Sequence, residues 1–210
     1  MVKKKPIAEE IRFSPQYLEQ LLNWELWVDR AGELLEASKV LEPHVRERWE
    51  VMKAGFKDGR YVGGRQRPQP NLQGPYFILV AYAVENLFKA VIIRKTTESL
   101  KRQFLGARKF RLPTMLDSHN LVDLAEKAGF VVNPSDEDLL TRLSRNSVWA
   151  GRYPVPIKPS YLRNVEIYSD GKPYLTAYFS EHDTERVNAL VERVKVYVNT
   201  ALSLPKTAIS

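Results

Sequence analysis

Between Tyr76 and Ile93 the chain runs YFILVAYAVENLFKAVII, a stretch in which only Glu85, Asn86 and Lys89 are strongly polar. Apolar side chains on nearly every side of a helix mean that other elements enclose it, because a surface helix keeps one polar face. The stretch also approaches the length of a membrane span. Two charges near its midpoint argue against that, since each costs about 2.5–3.5 kcal/mol on insertion scales. The reading is a core helix of a soluble, cytoplasmic protein with no membrane partner. Glu85 precedes Lys89 by one helical turn, the favourable order for a pair on one face. On an enclosed helix such a pair is either a local ion pair or part of a site.

The remaining sequence supplies the enclosure. Ser14-Pro15 is a helix start, a capping hydroxyl followed by proline at the first helical position. Tyr17, Leu18, Leu21, Leu22, Trp24, Val28, Ala31, Leu34, Leu35 and Leu41 recur at threes and fours, predicting one long helix that Pro43 interrupts. His44–Ala54 then either continues after a kink or forms a separate short helix ending at Gly55. The central helix is expected to run through Phe104 to Gly106. Asp117 or Ser118 can cap a helix over His119–Ala128, which Gly129 closes. Asn133-Pro134-Ser135 opens the next helix, with Ser135 and Asp138 in capping-box spacing. Leu139, Leu140, Leu143 and Val148 are its expected buried stripe. Val165–Tyr168 and Tyr174–Phe179 are short β-like runs around Asp170-Gly171, a hairpin signal. A last amphipathic helix, Asp183–Leu202, carries Val187, Leu190, Val191, Val194, Val198 and Ala201 on one face, and returns to the bundle or meets a partner. The fold class is mainly α: an antiparallel helical bundle with a small C-terminal β-hairpin and a final helix. A basic extension covers residues 1–13, the bundle 14–156, and the extended segment, hairpin and last helix 157–210.

The formal charge of +7 is unevenly placed. From Lys53 to Arg111 there are thirteen Lys and Arg against Asp58, Glu85 and Glu98, a net +10 that leaves −3 for everything else. Such a concentration favours a polyanionic partner, nucleic acid first, and reads equally as a solvated surface. Arg60, Arg65 and Arg67 lie in the Gly- and Pro-rich loop over 55–75, with Tyr61 among them, a composition suited to contacting a nucleic-acid backbone and a base. The same loop also reads as an unstructured tether. Lys101, Arg102, Arg108, Lys109 and Arg111 follow the central helix. Gly63-Gly64 lacks the GK[ST] ending of a phosphate-binding loop.

Other chemistries fall away. The chain has no cysteine, which excludes disulfides, thiolate chemistry and cysteine zinc sites. His44, His119 and His182 are far apart and form no HExxH-like pair, so no metal and no cofactor is expected. No GxSxG nucleophile elbow is present. What remains is Glu85 with Lys89, and the run Arg145-Asn146-Ser147-Val148-Trp149-Ala150-Gly151-Arg152-Tyr153. In this order of elements the chain resembles the HEPN superfamily of small helical bundles: a buried helix with E-x-x-x-K (Glu85, Lys89), a helix opening with His-x-Leu (His119, Leu121), then a helix ending in Arg145-Asn146 followed by aromatics to Tyr153. The resemblance spans roughly residues 14–156.

The resemblance implies a homodimer paired across the Arg-motif helices, and a place in prokaryotic defence, toxin–antitoxin or RNA-processing systems. The family's RNase signature is an Arg followed after four to six residues by a His. Arg145 fits the Arg, but Ala150, Gly151 and Arg152 occupy the positions open to the His. An alanine cannot take a 2′-hydroxyl proton or protonate a leaving oxygen. The leading expectation is therefore a non-catalytic member that binds RNA or another polyanion through Arg60, Arg65, Arg67, Lys101, Arg102, Arg108, Lys109, Arg111, Arg145, Asn146 and Arg152. The alternatives are a metal-independent endoribonuclease in which Tyr153, His119 or Glu85 replaces the missing His beside Lys89 and Arg145, and a protein-interaction module that docks a cognate partner on the last helix.

Overall fold

The computed structural model describes residues 15–57, 60–62, 71–106, 114–150, 165–167, 173–175 and 179–204. Helices carry the fold: α1 (Pro15–Leu22), α2 (Trp24–Ala54), α3 (Gln73–Gly106), α4 (Thr114–Asp117), α5 (Leu121–Ala128), α6 (Pro134–Arg145) and α7 (Asp183–Ser203). Two short ladders accompany them. β1 (Phe56–Lys57) pairs antiparallel with β2 (Arg60–Tyr61), and β3 (Val165–Ile167) with β4 (Pro173–Leu175), Val165 opposite Leu175. The Asp170-Gly171 turn expected between β3 and β4 lies outside the described residues.

α3 is the axis of the bundle. Tyr76, Phe77, Val80, Val84, Phe88 and Ile93 are all buried on it, on every side of the helix. By length and composition α3 could cross a membrane, yet 78% of its most apolar window is buried within this chain, as a core helix requires. α2 packs along it antiparallel: Trp27 lies beside Lys89, while Glu42, farther along α2, shares Asn188 with Tyr76 near the start of α3.

The first long helix breaks at a different place from the one the periodicity predicts. Apolar spacing runs unbroken through Asn23, yet Asn23 is extended (φ −80°, ψ 98°) and its side chain accepts the Glu25 N–H, separating α1 from α2. Pro43, the expected interruption, lies inside continuous helix. Its ring removes one amide donor, and both Pro43 and Lys39, whose carbonyl loses that donor, are exposed, so water can satisfy the orphan. The loop from Gly55 is not wholly irregular either, since β1 and β2 pair within it.

Two caps also differ. α5 begins at Leu121 rather than at His119, because Asn120 accepts the Val122 and Asp123 N–H groups. α6 is capped by Asn133, which accepts the Asp136 N–H at 2.9 Å, with Pro134 in the first turn; Ser135 instead receives Arg186. Gly129 closes α5 in the left-handed region (φ 88°) as read from the sequence. A Cβ there would meet Lys95 Nζ and Tyr197 Oη at 3.1 Å, and both of those groups donate to the Ala128 carbonyl, so α3, α5 and α7 are pinned at one point. Leu139, Leu140 and Leu143 are buried as expected, but Val148 is 38% exposed, because a wide π turn over Asn146–Ala150 follows α6 and rotates it away from the stripe.

α7 returns to the bundle. Val187, Leu190, Val191, Val194, Val198 and Ala201 are buried in the main core. A polar latch fixes its start: Arg142 donates to both oxygens of Asp183 (2.7 and 2.9 Å) and to Asp138 (2.6 and 3.2 Å). The guanidinium lies 5.1 Å from the ring centre of Phe179, which stacks on Phe77. Burial pushes the Asp183 carboxyl up, but hydrogen bonds from Arg142 and Ser180 outweigh it and leave the group below its ordinary range.

Candidate functional site

Glu85 and Lys89 point the same way from the middle of α3, and Lys89 Nζ donates to Glu85 Oε1 at 2.6 Å. The side chains are only 8% and 4% exposed, so this is a buried pair and not a surface one. A buried carboxylate needs further donors for its remaining lone pairs. His119 supplies one: Nδ1 lies 3.1 and 3.0 Å from Glu85 Oε1 and Oε2. On its other side the Lys89 ammonium lies 5.9 Å from the ring centre of Trp27, within reach of a cation–π contact. The order across the site is Trp27, Lys89, Glu85, His119.

The placement of His119 follows from local geometry. It sits in the extended link between α4 and the Asn120 cap of α5, two residues before the helix begins. That link is itself tied to α6, because Leu121 N–H donates to Ser144 Oγ at 2.9 Å. The imidazole is 54% exposed, unlike its partner. Where a carboxylate accepts from Nδ1, that nitrogen carries the hydrogen, and the tautomer so defined has its lone pair on Nε2. A histidine oriented by a buried carboxylate is the arrangement used for general-base chemistry.

Arg145 is half-buried and follows Ser144 directly, at the last turn of α6 and next to the Leu121 contact. Asn146 is buried, its amide donating to Gly74 O at 3.4 Å, and Tyr82 donates to Ser147 O at 3.2 Å. The π turn after Arg145 therefore lies against the first half of α3. Arg142, the other arginine of this helix, is committed to the α7 latch. The expected nucleic-acid residues divide accordingly. Lys101 and Arg102 are exposed on the last turns of α3, with Lys101 3.3 Å from Glu98. Arg60 belongs to β2. Arg65, Arg67, Arg108, Lys109, Arg111, Arg152 and Tyr153 lie outside the described residues.

Several cations of the basic window serve the fold. Lys53 pairs with Glu50 and with Glu181, Lys89 with Glu85, and Lys95 with the Ala128 carbonyl. The acids are also used: Glu85 inside the core, Glu98 by Lys101. The excess charge therefore resides in the segments entering and leaving α3. A helix of this length spans about 50 Å, which separates the points where those two segments are anchored. Periodicity could not show the Glu85–His119 bond or the Trp27–Lys89 contact, since each joins parts of the chain distant in sequence; the available signals were a pair of charges where none is needed for a core and the resemblance, which set His119 in the same series of motifs. No family model matches this chain, and no curated protein or solved structure matches it either.

Proposed function

We propose that this chain is a divergent HEPN-like bundle, extended by a C-terminal hairpin and α7, that binds RNA or another polyanion. The ligand meets the cations flanking α3 and the end of α6 at Arg145. The carrying observation is where charge is left over. Glu85 and Glu98 are used by partners of their own, so only Asp58 stands in that window against the arginines and lysines of the flanking segments. Each phosphate neutralised releases counterions, so affinity should fall linearly on a log–log plot against salt. Filter binding of labelled RNA across a salt series tests this. Measurable affinity at low salt with a negative slope supports the reading; no binding, or binding without a slope, removes it.

A second reading is favoured by one observation, the Glu85–His119 bond. His119 can serve where the resemblance expects a histidine and finds Ala150. In metal-independent cleavage Nε2 would take the proton of the RNA 2′-hydroxyl as its oxygen attacks the adjacent phosphorus. The bond from phosphorus to the 5′-oxygen breaks, and that oxygen takes a proton from solvent. Prolonged incubation with total RNA in chelator should then give fragments that disappear in His119→Ala and in Arg145→Ala. Intact RNA with the wild-type protein ends this second reading and leaves the first standing.

A further inference from the structure

α3 satisfies almost all of its own polar groups. Tyr76 donates to Asn188, Tyr82 to Ser147 O, Lys89 to Glu85 and Lys95 to Ala128 O, while Thr96 and Thr97 bond back to carbonyls one turn earlier. Two side chains do not follow this pattern: Arg94, whose Nε is buried with no hydrogen-bond partner among the described residues, and Asn86. The latter is half-buried on the same helix, and its carboxamide has no hydrogen-bond partner among the described residues. Asn86 lines an open groove of about 320 Å³, shared with Tyr17, Gln20, Leu21, Leu26, Trp27 and Arg30. A volume of this size lies at the lower end of small-ligand sites.

Two further features define what would fit. Trp27 is fixed in place: its indole N–H donates inward to Leu21 O at 3.0 Å and the buried Lys89 ammonium stands near its ring, so the side chain offers the groove an oriented apolar surface with no donor left over. Leu26 beside it is 47% exposed. Arg30 on its rim pairs with Glu33 at 2.8 Å, and the other described lining residues are uncharged. An anion therefore finds a single exposed cation here, already paired. A neutral flat ring with a hydrogen-bonding edge gains both an aromatic surface and an amide that has no partner among the described residues, the combination by which unstacked bases are held.

We infer that this groove is a subsite for a nucleobase-type heterocycle, its face against Trp27 and its amide-like edge bonded by Asn86. It does not depend on the basic segments, since the site recognises the ring and not the phosphate. The ring could belong to a free nucleoside or to a base of a single strand, and both are tested. The indole N–H resonance of Trp27, identified by its loss in Trp27→Phe, is followed while adenosine, guanosine, cytidine or uridine is added, then a short single-stranded oligonucleotide, then inorganic tripolyphosphate. At least one nucleoside should shift that resonance saturably, with affinity reduced about fivefold or more in Asn86→Leu and in Trp27→Leu. Trp27→Phe, which keeps an aromatic face and guards against misfolding in Trp27→Leu, should retain most of the affinity as read by isothermal titration. A shift with the oligonucleotide alone assigns the site to strand bases. A response to tripolyphosphate alone, no response to any nucleoside or oligonucleotide, or nucleoside affinity unchanged in Asn86→Leu overturns the inference. Tripolyphosphate binding elsewhere with a silent groove would leave the polyanion reading intact while this one falls.

Discussion

Lys89 is the residue on which the interior of this protein most depends. Glu85 is shielded from water, so its charge is tolerable only while Lys89 and His119 donate to it. Removing one member of a buried pair costs about 3–5 kcal/mol, because the other is left uncompensated. Lys89→Met should therefore lower unfolding free energy in urea by about that amount, and the double change Glu85→Leu with Lys89→Met should restore a large part of it. Equal destabilisation in single and double variants would mean that the pair contributes only packing. Asp183 makes the parallel case with a pH dependence. Its folded carboxyl titrates below the unfolded value, so its contribution is fully present above the ordinary carboxylate range and is lost as pH falls through the folded value. Asp183→Ala should cost about 3–5 kcal/mol at pH 7, a gap that closes on acidification. A gap independent of pH would contradict the role of the latch.

Among the elements, α7 resolves an ambiguity that the amino-acid pattern leaves open. Its apolar stripe was plain from the spacing of Val187, Leu190, Val191, Val194 and Val198, but a stripe does not say what covers it. Here the chain's own core covers it, and Asn188, Arg193 and Glu185 add bonds to Glu42, Asp136 and Arg46. The face that would have docked a partner is thus used internally. Burying five such side chains is worth about 1.5–3 kcal/mol each, a total comparable with the whole stability of a domain. Deleting residues 183–210 should yield a chain without a cooperative thermal transition, and a truncated form that melts like the full protein would show α7 to be an appendage. Elements elsewhere were legible where local chemistry decides them. α3 was recognisable because no face of it is polar, and Gly129 because a helix end calls for a left-handed residue. The break at Asn23 was hidden, since apolar spacing continues through it and only the cap interrupts the helix. Pro43 left continuation and a break both open, and the helix continues because a long packed interface whose outer side is wet outweighs a local breaker.

At the scale of the whole molecule the architecture was legible and the site only in part. Glu85 and Lys89 stood out as charges on an enclosed helix, whereas their junction with His119 and Trp27 is a product of tertiary packing between segments far apart in the chain. The same packing explains why net charge alone misplaces the basic surface. Lys53, Lys89 and Lys95 count toward it in sequence yet hold the fold together, which leaves the two flanking segments, whose anchor points at the ends of α3 are about 50 Å apart. A stacked strand reaching from one of these anchor points to the other covers about fifteen nucleotides at 3.4 Å each. The most direct measurement is the salt dependence of affinity for RNA of that length, compared between the wild type and a variant with Arg65, Arg67, Arg108, Lys109 and Arg111 changed to alanine. The account predicts a steep negative slope for the wild type and a shallower one for the variant, by about 0.7 for each phosphate that the alanines no longer neutralise. Identical slopes in the two proteins, or no affinity at low salt in the wild type, would contradict it.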